Sequence, residues 1–423
     1  MALALIWILA LVSVGVVLFS LRRPEGAYHY PFLAGATFLG FIVPQLPAFA
    51  EDPFFPAGAV ARTAAFASLC VVACALGWHM PRGSVGARTP WRFDEGRLLA
   101  VAAGLSLIGG FFFLKINALP YEIKYSVYTG LPVVYFFFSR LLPYGFAIAL
   151  LCCARRVSLP AIAIVAFDTY FYVDRILVHG RRAEAADFLL LIALAVWFQR
   201  RLAAPRLLSL VLILGAAFAL TSIGDYRSVT TARDPSPWSA LLEIDVATNF
   251  DVLIAEGGNE VRNAILRMEA VQRSEAFDFG LVHWNMTVFN YVPAQLMGAS
   301  FKEGLMVPLD GQRPRDYAPH PGTTETGLND AFASFSYLGA LKFFLLAYLM
   351  RRLYDAAMAG STFCQIVYAL SLAPAMHAVT HHTQWPVSAW IHMAMFLIPA
   401  LALARIRDGR GLDATNAARG AAP

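Results

Sequence analysis

The sequence predicts an all-α polytopic membrane protein, and three observations carry that prediction. Apolar residues fill 58% of the 423 positions and charged residues only 14%. The mean hydropathy of +0.58 lies outside the range of an ordinary soluble domain. The apolar residues also come in runs of about 17–25, the length that crosses a bilayer as helix. Finally, arginines punctuate alternate connections between these runs, as the positive-inside rule requires.

The bilayer-length criterion gives about eleven spans. They lie near 2–21, 30–48, 57–79, 98–116, 130–153, 157–178, 184–198, 206–223, 332–350, 362–380 and 385–404. The first run lacks a basic stretch before it and is followed by Arg22-Arg23, so it reads as a retained helix with an outer N-terminus. Alternation from there puts one set of arginines in the cytoplasm: Arg22-Arg23, Arg82, Arg88, Arg92, Arg97, Arg155-Arg156, Arg200-Arg201, Arg206, Arg351-Arg352, Arg405, Arg407 and Arg410. The outer face receives EDPFF (Glu51–Phe55), the loop around NALPYEIKYSVYTG and THHTQ near Thr380. It also receives one long segment.

The expected organisation comes from this alternation. Residues 1–223 hold spans one to eight, 224–331 form a large outer loop, and 332–404 hold spans nine to eleven. Residues 405–423 form a cytoplasmic tail, too poor in apolar residues to fold. The basic residues act as topology signals, so the formal net charge of +5 does not point to nucleic acid. Cys70, Cys74, Cys152, Cys153 and Cys364 fall in or at the end of apolar runs without a CxxC pair, and read as small packing residues.

One stretch runs against the charge rule. YVDRILVHGRRAEAADFLLL (172–191) sets Arg175, Arg181 and Arg182 on the outer side, and Arg227 lies just beyond the eighth span. Arg140, Asp168 and Arg175 sit within apolar runs, where a charge must be paired or hydrated. Asp168 and Arg175, seven apart, share a helix face, and Asp168 alone reads as part of an interhelical salt-bridge network. Arg175, Arg181, Arg182 and Arg227 at one outer level need more anions than Asp174, Glu184 and Asp187 supply. Guanidinium forks match phosphate oxygens, and a lipid-linked diphosphate presents its charge at that depth.

The long outer segment is expected to contain helices of its own. SPWSALLEIDVATNFDVLIAEGG has helical apolar spacing, with Ser236 as N-cap before Pro237. EVRNAILRMEAVQRSEAF gives a second amphipathic pattern. FGLVHWNMTVFNYVPAQLMGASFKEG is broken by His283, Asn285, Asn290 and Pro293, and reads as interfacial or re-entrant. Beyond it, His320, Glu325 and Asp330 are candidate general bases, as is the HxxxHH group of His377, His381 and His382. Asp330 also suits the cap of a helix beginning near Ala331. His377 and His381 share a helix face, but two histidines fall short of a catalytic zinc set, and no metal site is expected.

Three pieces of sequence carry a family resemblance. Gly180-Arg181-Arg182 stands between two spans; Phe279-Gly280 leads into NYVPAQL with Pro293 and then Lys302; and TTETGLNDAFASFSYLGALKFFLLAYLMRRLYD enters a span with Tyr337 and Gly339 near its start. With one large outer loop late in a bundle of ten to twelve spans, the chain resembles the O-antigen polymerase (Wzy-type) family. The likeness is architectural across the first five spans, and Ala294 stands where the family often carries an arginine.

That resemblance implies metal-independent glycosyl transfer, without a cofactor, at the periplasmic face of a bacterial inner membrane. The implied substrates are oligosaccharide repeat units on undecaprenyl diphosphate, with membrane lipid and a chain-length regulator protein as further partners. Arg175, Arg181, Arg182, Arg227 and Lys302 would hold the diphosphate. Glu325 would take the acceptor proton, with His320 and Asp330 as competing candidates. An O-antigen ligase shares the fold and donor. Two other classes compete: a flippase for lipid-linked sugar, and a membrane O-acyltransferase using one of His377, His381, His382 and His392. A flippase needs charges along several spans, whereas here most sit at one level.

Overall fold

Hydrocarbon offers a backbone no outside hydrogen-bond partner, so a chain this apolar must satisfy its peptide groups within helices. The computed structural model describes residues 1–80, 91–124, 130–211, 215, 221–230, 237–309 and 325–406, and they contain helices and no strand. Eight helices among them are long and apolar enough to cross a membrane. They are α1 (Ala2–Ser20), α2 (Tyr30–Glu51), α3 (Ala59–His79), α4 (Glu95–Asn117), α5 (Leu131–Arg155), the broken helix Gly327–Met358, and then Thr362–Thr380 and Gln384–Ala404. The protein is a helical, multi-pass membrane protein.

Three expected spans fall outside those eight. Residues 157–178 are helical at Leu159–Val173 (α6) and continue through a π-turn, Asp174–Val178, but carry Asp168, Asp174 and Arg175. Arg182–Arg200 (α7) is long enough but includes Glu184 and Asp187. Of the run 206–223, residues 206–211 are helical (α8) and most of the rest lies outside the described residues, as do His320 and the tail from 407.

The long segment between the eighth and ninth runs is largely helical where described, and the α-helix of its first amphipathic pattern starts later than the apolar spacing suggests. Ile223–Thr230 (α9) opens it. The 3-10 turn Trp238–Glu243 precedes α10 (Val246–Glu256), capped by Asp245, whose Oδ1 accepts from the Ala247 and Thr248 amides at 3.1 and 3.0 Å. The expected cap, Ser236, lies outside the described residues. A short polar cap at a sequence-internal position wins here over continuous apolar spacing. The second amphipathic helix is α11 (Asn259–Ser274), and α12 (Leu281–Tyr291) comes next, with two short helical pieces, Ala294–Met297 and Ala299–Leu305, behind it.

The ninth run begins earlier than expected: a short helix, α13 (Gly327–Phe335), leads through a 3-10 turn into α14 (Leu341–Met358). Thr362–Thr380 forms α15, and Gln384–Ala404 forms α16.

Contacts sort the connections into two groups. At one end, Arg155 reaches Gln199 and Thr362, Arg201 reaches Met358, Arg206 reaches the Arg22 carbonyl, and Ile406 pairs with Arg92. At the other end, Gln45 receives the Gly258 amide, Arg62 pairs with Glu269, Asn117 bonds Asp174, and Asp330 bonds Thr383. Between them, α3 is the hub, packing on α1 and on α14. Its small residues Ala64, Ala67, Cys70 and Cys74 are buried, and a Cβ at Gly77 would lie 2.1 Å from the Phe344 carbonyl oxygen. Small residues let helices approach closely where lipid supplies no hydrophobic drive for association. The five cysteines are free and buried or half-buried, as packing residues should be.

Gly327 makes a second close approach. A Cβ there would fall 1.7 Å from the Ala378 carbonyl oxygen, which brings α13 onto the end of α15. Gly104 on α4, by contrast, has nothing within 4 Å of its Cβ position. Thermal unfolding in detergent should show Gly327→Ala losing about 1–3 kcal/mol to overpacking. Gly104→Ala should be neutral or gain up to ~1 kcal/mol from the helix-propensity difference. Equal melting of the two variants would contradict the packing described for α13.

Candidate functional site

The arginine group expected at the outer level comes together around Gly180. The side chain of Arg175 is paired with Glu184, its Nε donating to Oε1 at 3.1 Å, and its guanidinium stacks over Phe113 at 4.8 Å. Arg227 Nη2 donates to the Gly180 carbonyl at 3.4 Å, and the Arg181 amide donates to the Arg175 carbonyl at 3.1 Å. Arg182 opens α7, and its side chain lies outside the described part of the molecule. Tyr226 ties the same turn down by donating to the Leu177 carbonyl at 2.6 Å. Of the nearby acids, Asp187 accepts from Tyr172 at 2.6 Å and Asp174 accepts from Asn117 at 3.2 Å. Asp168 and Arg175 do not pair; Asp168 instead accepts from Ser106 on α4 at 2.7 Å. Lys302 stands apart from this group, its Nζ donating to the Phe289 carbonyl at 2.7 Å.

A second polar centre forms where α12, α13, α14 and the turn between α15 and α16 converge. Asp330 is its hub, and only 7% exposed. Its Oδ2 accepts from the Thr383 amide at 2.6 Å and its Oδ1 from the Thr383 hydroxyl at 2.7 Å. Around it stand Lys342 Nζ and His382 Nδ1, each at 3.6 Å, and His283 Nε2 at 3.7 Å. Lys342 donates to Ser334 Oγ at 2.8 Å, and Ser334 in turn donates to Asp278 Oδ1 at 2.9 Å. A buried carboxylate demands such company, because leaving its charge unpaired costs far more than the bonds return in water.

This geometry corrects one reading of Asp330. Helix α13 begins at Gly327 with Thr326 as its N-cap, so Asp330 is not the cap of a helix starting near Ala331. Its side chain leaves its own helix to bond Thr383. Glu325 is paired with Arg267 of α11 and accepts from Asn329 Nδ2 at 2.9 Å, so its carboxylate is already engaged. The HxxxHH group divides: His377 and His381 pack on the Trp385 ring at 5.3 and 4.8 Å, while His382 turns to Asp330.

Sequence reasoning missed His283, Lys342 and Thr383 as members of this centre. Lys342 had a signal, being the single charged residue between Ala331 and Met350; an ionisable group in a span is a functional flag. Several buried polar atoms nearby have no hydrogen-bond partner among the described residues: Thr326 Oγ1, Asn329 Oδ1, Gln384 Oε1, His283 Nδ1 and Arg267 Nε. Native interiors leave few such atoms, and five of them cluster here among the described residues. Among the described residues, no three His, Cys, Asp or Glu side chains are placed to hold a metal ion.

Neither a protein-family model, nor a characterised protein, nor a solved structure matches the chain.

His283 gives the centre a pH dependence. Burial pushes its imidazole below the ordinary histidine range, and the Asp330 carboxylate offsets part of that shift. The unfolded chain therefore binds this proton more readily than the folded one. Stability is lost as pH falls below the ordinary histidine value of ~6.5 toward the depressed folded value. Melting in detergent should fall more steeply toward acid for the wild type than for His283→Gln, and matching slopes would remove the neutral buried ring as the cause.

Proposed function

We propose that the protein is a membrane-embedded glycosyltransferase that polymerises undecaprenyl-diphosphate-linked oligosaccharide repeat units. The observation that carries this reading is the presence of an arginine group and a buried Asp–His–Lys–Thr centre at the same end of the helix bundle. Eleven passes, with that end outside, fit the sorting of connections. The described spans alternate in direction between the two groups of loops, with Arg206 at the Arg22 end and Ser222 at the other. In a bacterial inner membrane the outer end is periplasmic. Reporter fusions after Arg156, Gly180, Arg201 and Arg352 should place only the Gly180 junction outside, and a cytoplasmic signal there would end the proposal.

The chemistry assigns a role to each part of the site. The acceptor hydroxyl oxygen attacks the anomeric carbon of the donor, the bond from that carbon to the diphosphate oxygen breaks, and its electron pair leaves with the diphosphate. Arg181 and Arg227 stabilise the departing charge, the kind of electrostatic contribution that dominates many transfers. The hydroxyl proton passes to His382. Asp330 lies beside its Nδ1, which favours the tautomer with Nε2 as proton acceptor; such catalytic hydrogen bonds are often long until substrate binds. Lys342 pairs with the Asp330 carboxylate and holds it in place. The partnerless amide, hydroxyl and guanidinium atoms around Glu325 suit sugar hydroxyls, with Glu325 as an orienting acceptor.

Deleting the gene in its own host should abolish long-chain polysaccharide and accumulate lipid-linked single repeat units. Complementation with His382→Gln or Arg227→Lys should restore protein to the membrane but not polymer, since lysine lacks the bidentate fork. Polymer of normal length with missing attachment to lipid A core would instead identify a ligase. Wild-type polymer and attachment in both variants would overturn the assignment.

A further inference from the structure

The segment after Gly280 makes a hairpin that no soluble loop requires. Helix α12 runs beside the start of α16 and in the same direction. Thr383 Oγ1 lies 3.0 Å from His283 Nε2, Gln384 Nε2 donates to Thr287 at 3.3 Å, and Tyr291 donates to the Ser388 carbonyl. The Tyr291 ring also meets Phe137 of α5 at 6.1 Å, so the helix descends alongside two spans. The chain then turns at Val292-Pro293 and returns through Ala294–Met297 and Ala299–Leu305.

Four side-chain ties close the hairpin. Trp284 Nε1 donates to the Leu305 carbonyl at 2.8 Å, and Lys302 Nζ donates to the Phe289 carbonyl at 2.7 Å. Asn285 meets both main-chain groups of Val307, donating to its carbonyl at 2.8 Å and accepting from its amide at 2.9 Å. Water would serve these peptide groups at no cost; in hydrocarbon they must be met from within. The hairpin is also two-faced. His283, Asn285 and Val288 face the bundle, whereas Trp284, Phe289, Met297 and Phe301 are about half exposed or more. That apolar face joins the exposed side of the adjoining span: Phe279 touches Phe335 at 6.3 Å, and Leu338, Leu341 and Leu345 continue the exposed row.

We propose that Leu281–Leu305 is a re-entrant hairpin seated in the outer leaflet, its Trp284, Phe289, Met297 and Phe301 face covered by the hydrocarbon chains of bilayer lipids. Its other face, through His283, forms the lateral wall of the Asp330 centre. The descending helix, 11 residues long, spans about 16 Å, roughly half of a ~30 Å hydrocarbon core, so the tip stays within one leaflet. Glu303, close to the open end, lies where its charge reaches the headgroups. A lipid-borne substrate would therefore meet the polar centre from the side, at leaflet depth. This inference needs only the membrane, not the glycosyl-transfer reading.

The test uses the full chain in proteoliposomes of phosphatidylethanolamine and phosphatidylglycerol, with single nitroxides on cysteines introduced at Phe289, Met297 and Glu303. Power saturation should give an oxygen-to-nickel collision ratio several-fold higher at 289 and 297 than at 303. The water-like ratio of 303 at all three positions would overturn the proposal and leave the face to a soluble partner or a second copy. Wild-type protein in liposomes doped with diazirine-bearing acyl chains provides a check free of mutations. Labelled peptides from 281–305 support the hairpin's seat, and labelling confined to the spans refutes it.

Discussion

The polar end of the bundle depends on a single buried carboxylate. Asp330 ties the first turns of α13 to Thr383, in the turn that joins the last two spans, with both oxygens engaged. Burying that charge is tolerable because donors surround it: an amide, a hydroxyl and the Lys342 ammonium. Gly327 is the steric condition of the same contact, since its missing side chain admits the Ala378 carbonyl. Without the carboxylate, the Thr383 amide would lose its partner in a buried place, and Lys342 would hold a charge with no counterion of comparable strength. Removal of one partner costs more than the pair contributes, so the constraint propagates to every group that leans on Asp330.

Two of those groups are the histidines. His283 arrives on α12 and His382 in the turn, and each approaches the same carboxylate from a different element. The long segment is therefore part of the bundle and not a loose loop over it. Its helix α11 is pinned twice more, by Glu269 to Arg62 of α3 and by Arg267 to Glu325. Glu269 also accepts from Arg273 one turn on, so a nearly buried acid is shared between two guanidinium groups. The pins to Arg62 and Glu325 join residues far apart in sequence, and together they fix the height at which the segment sits over the spans.

The helical class and the position of most spans could be read from the sequence because run length and arginine placement are local properties. The amphipathic helix α11 and the turning piece at Leu281–Leu305 were legible for the same reason. The site was less so. Glu325 looks like an available base until Arg267, 58 residues earlier, closes on it. Asp330 reads as a cap until Thr383, 53 residues later, takes both its oxygens. Partners at such separations leave no periodic trace. Only an isolated charge, as Lys342 is in its apolar run, betrays a buried polar centre in advance.

The arginines around Gly180 present a separate problem of balance. Arg175 is neutralised within the fold by Glu184 and shielded by the Phe113 face, so its placement costs little and needs no ligand. Asp187 and Asp174 bond Tyr172 and Asn117. A diphosphate reading therefore rests less on Arg175 than on the other arginines of the group. Lys302 stands apart from that group, with its ammonium closing the hairpin against the Phe289 carbonyl and ring. A cation that holds its own backbone in place has a structural reason to be where it is, and an anion site built on it would have to give up that bond.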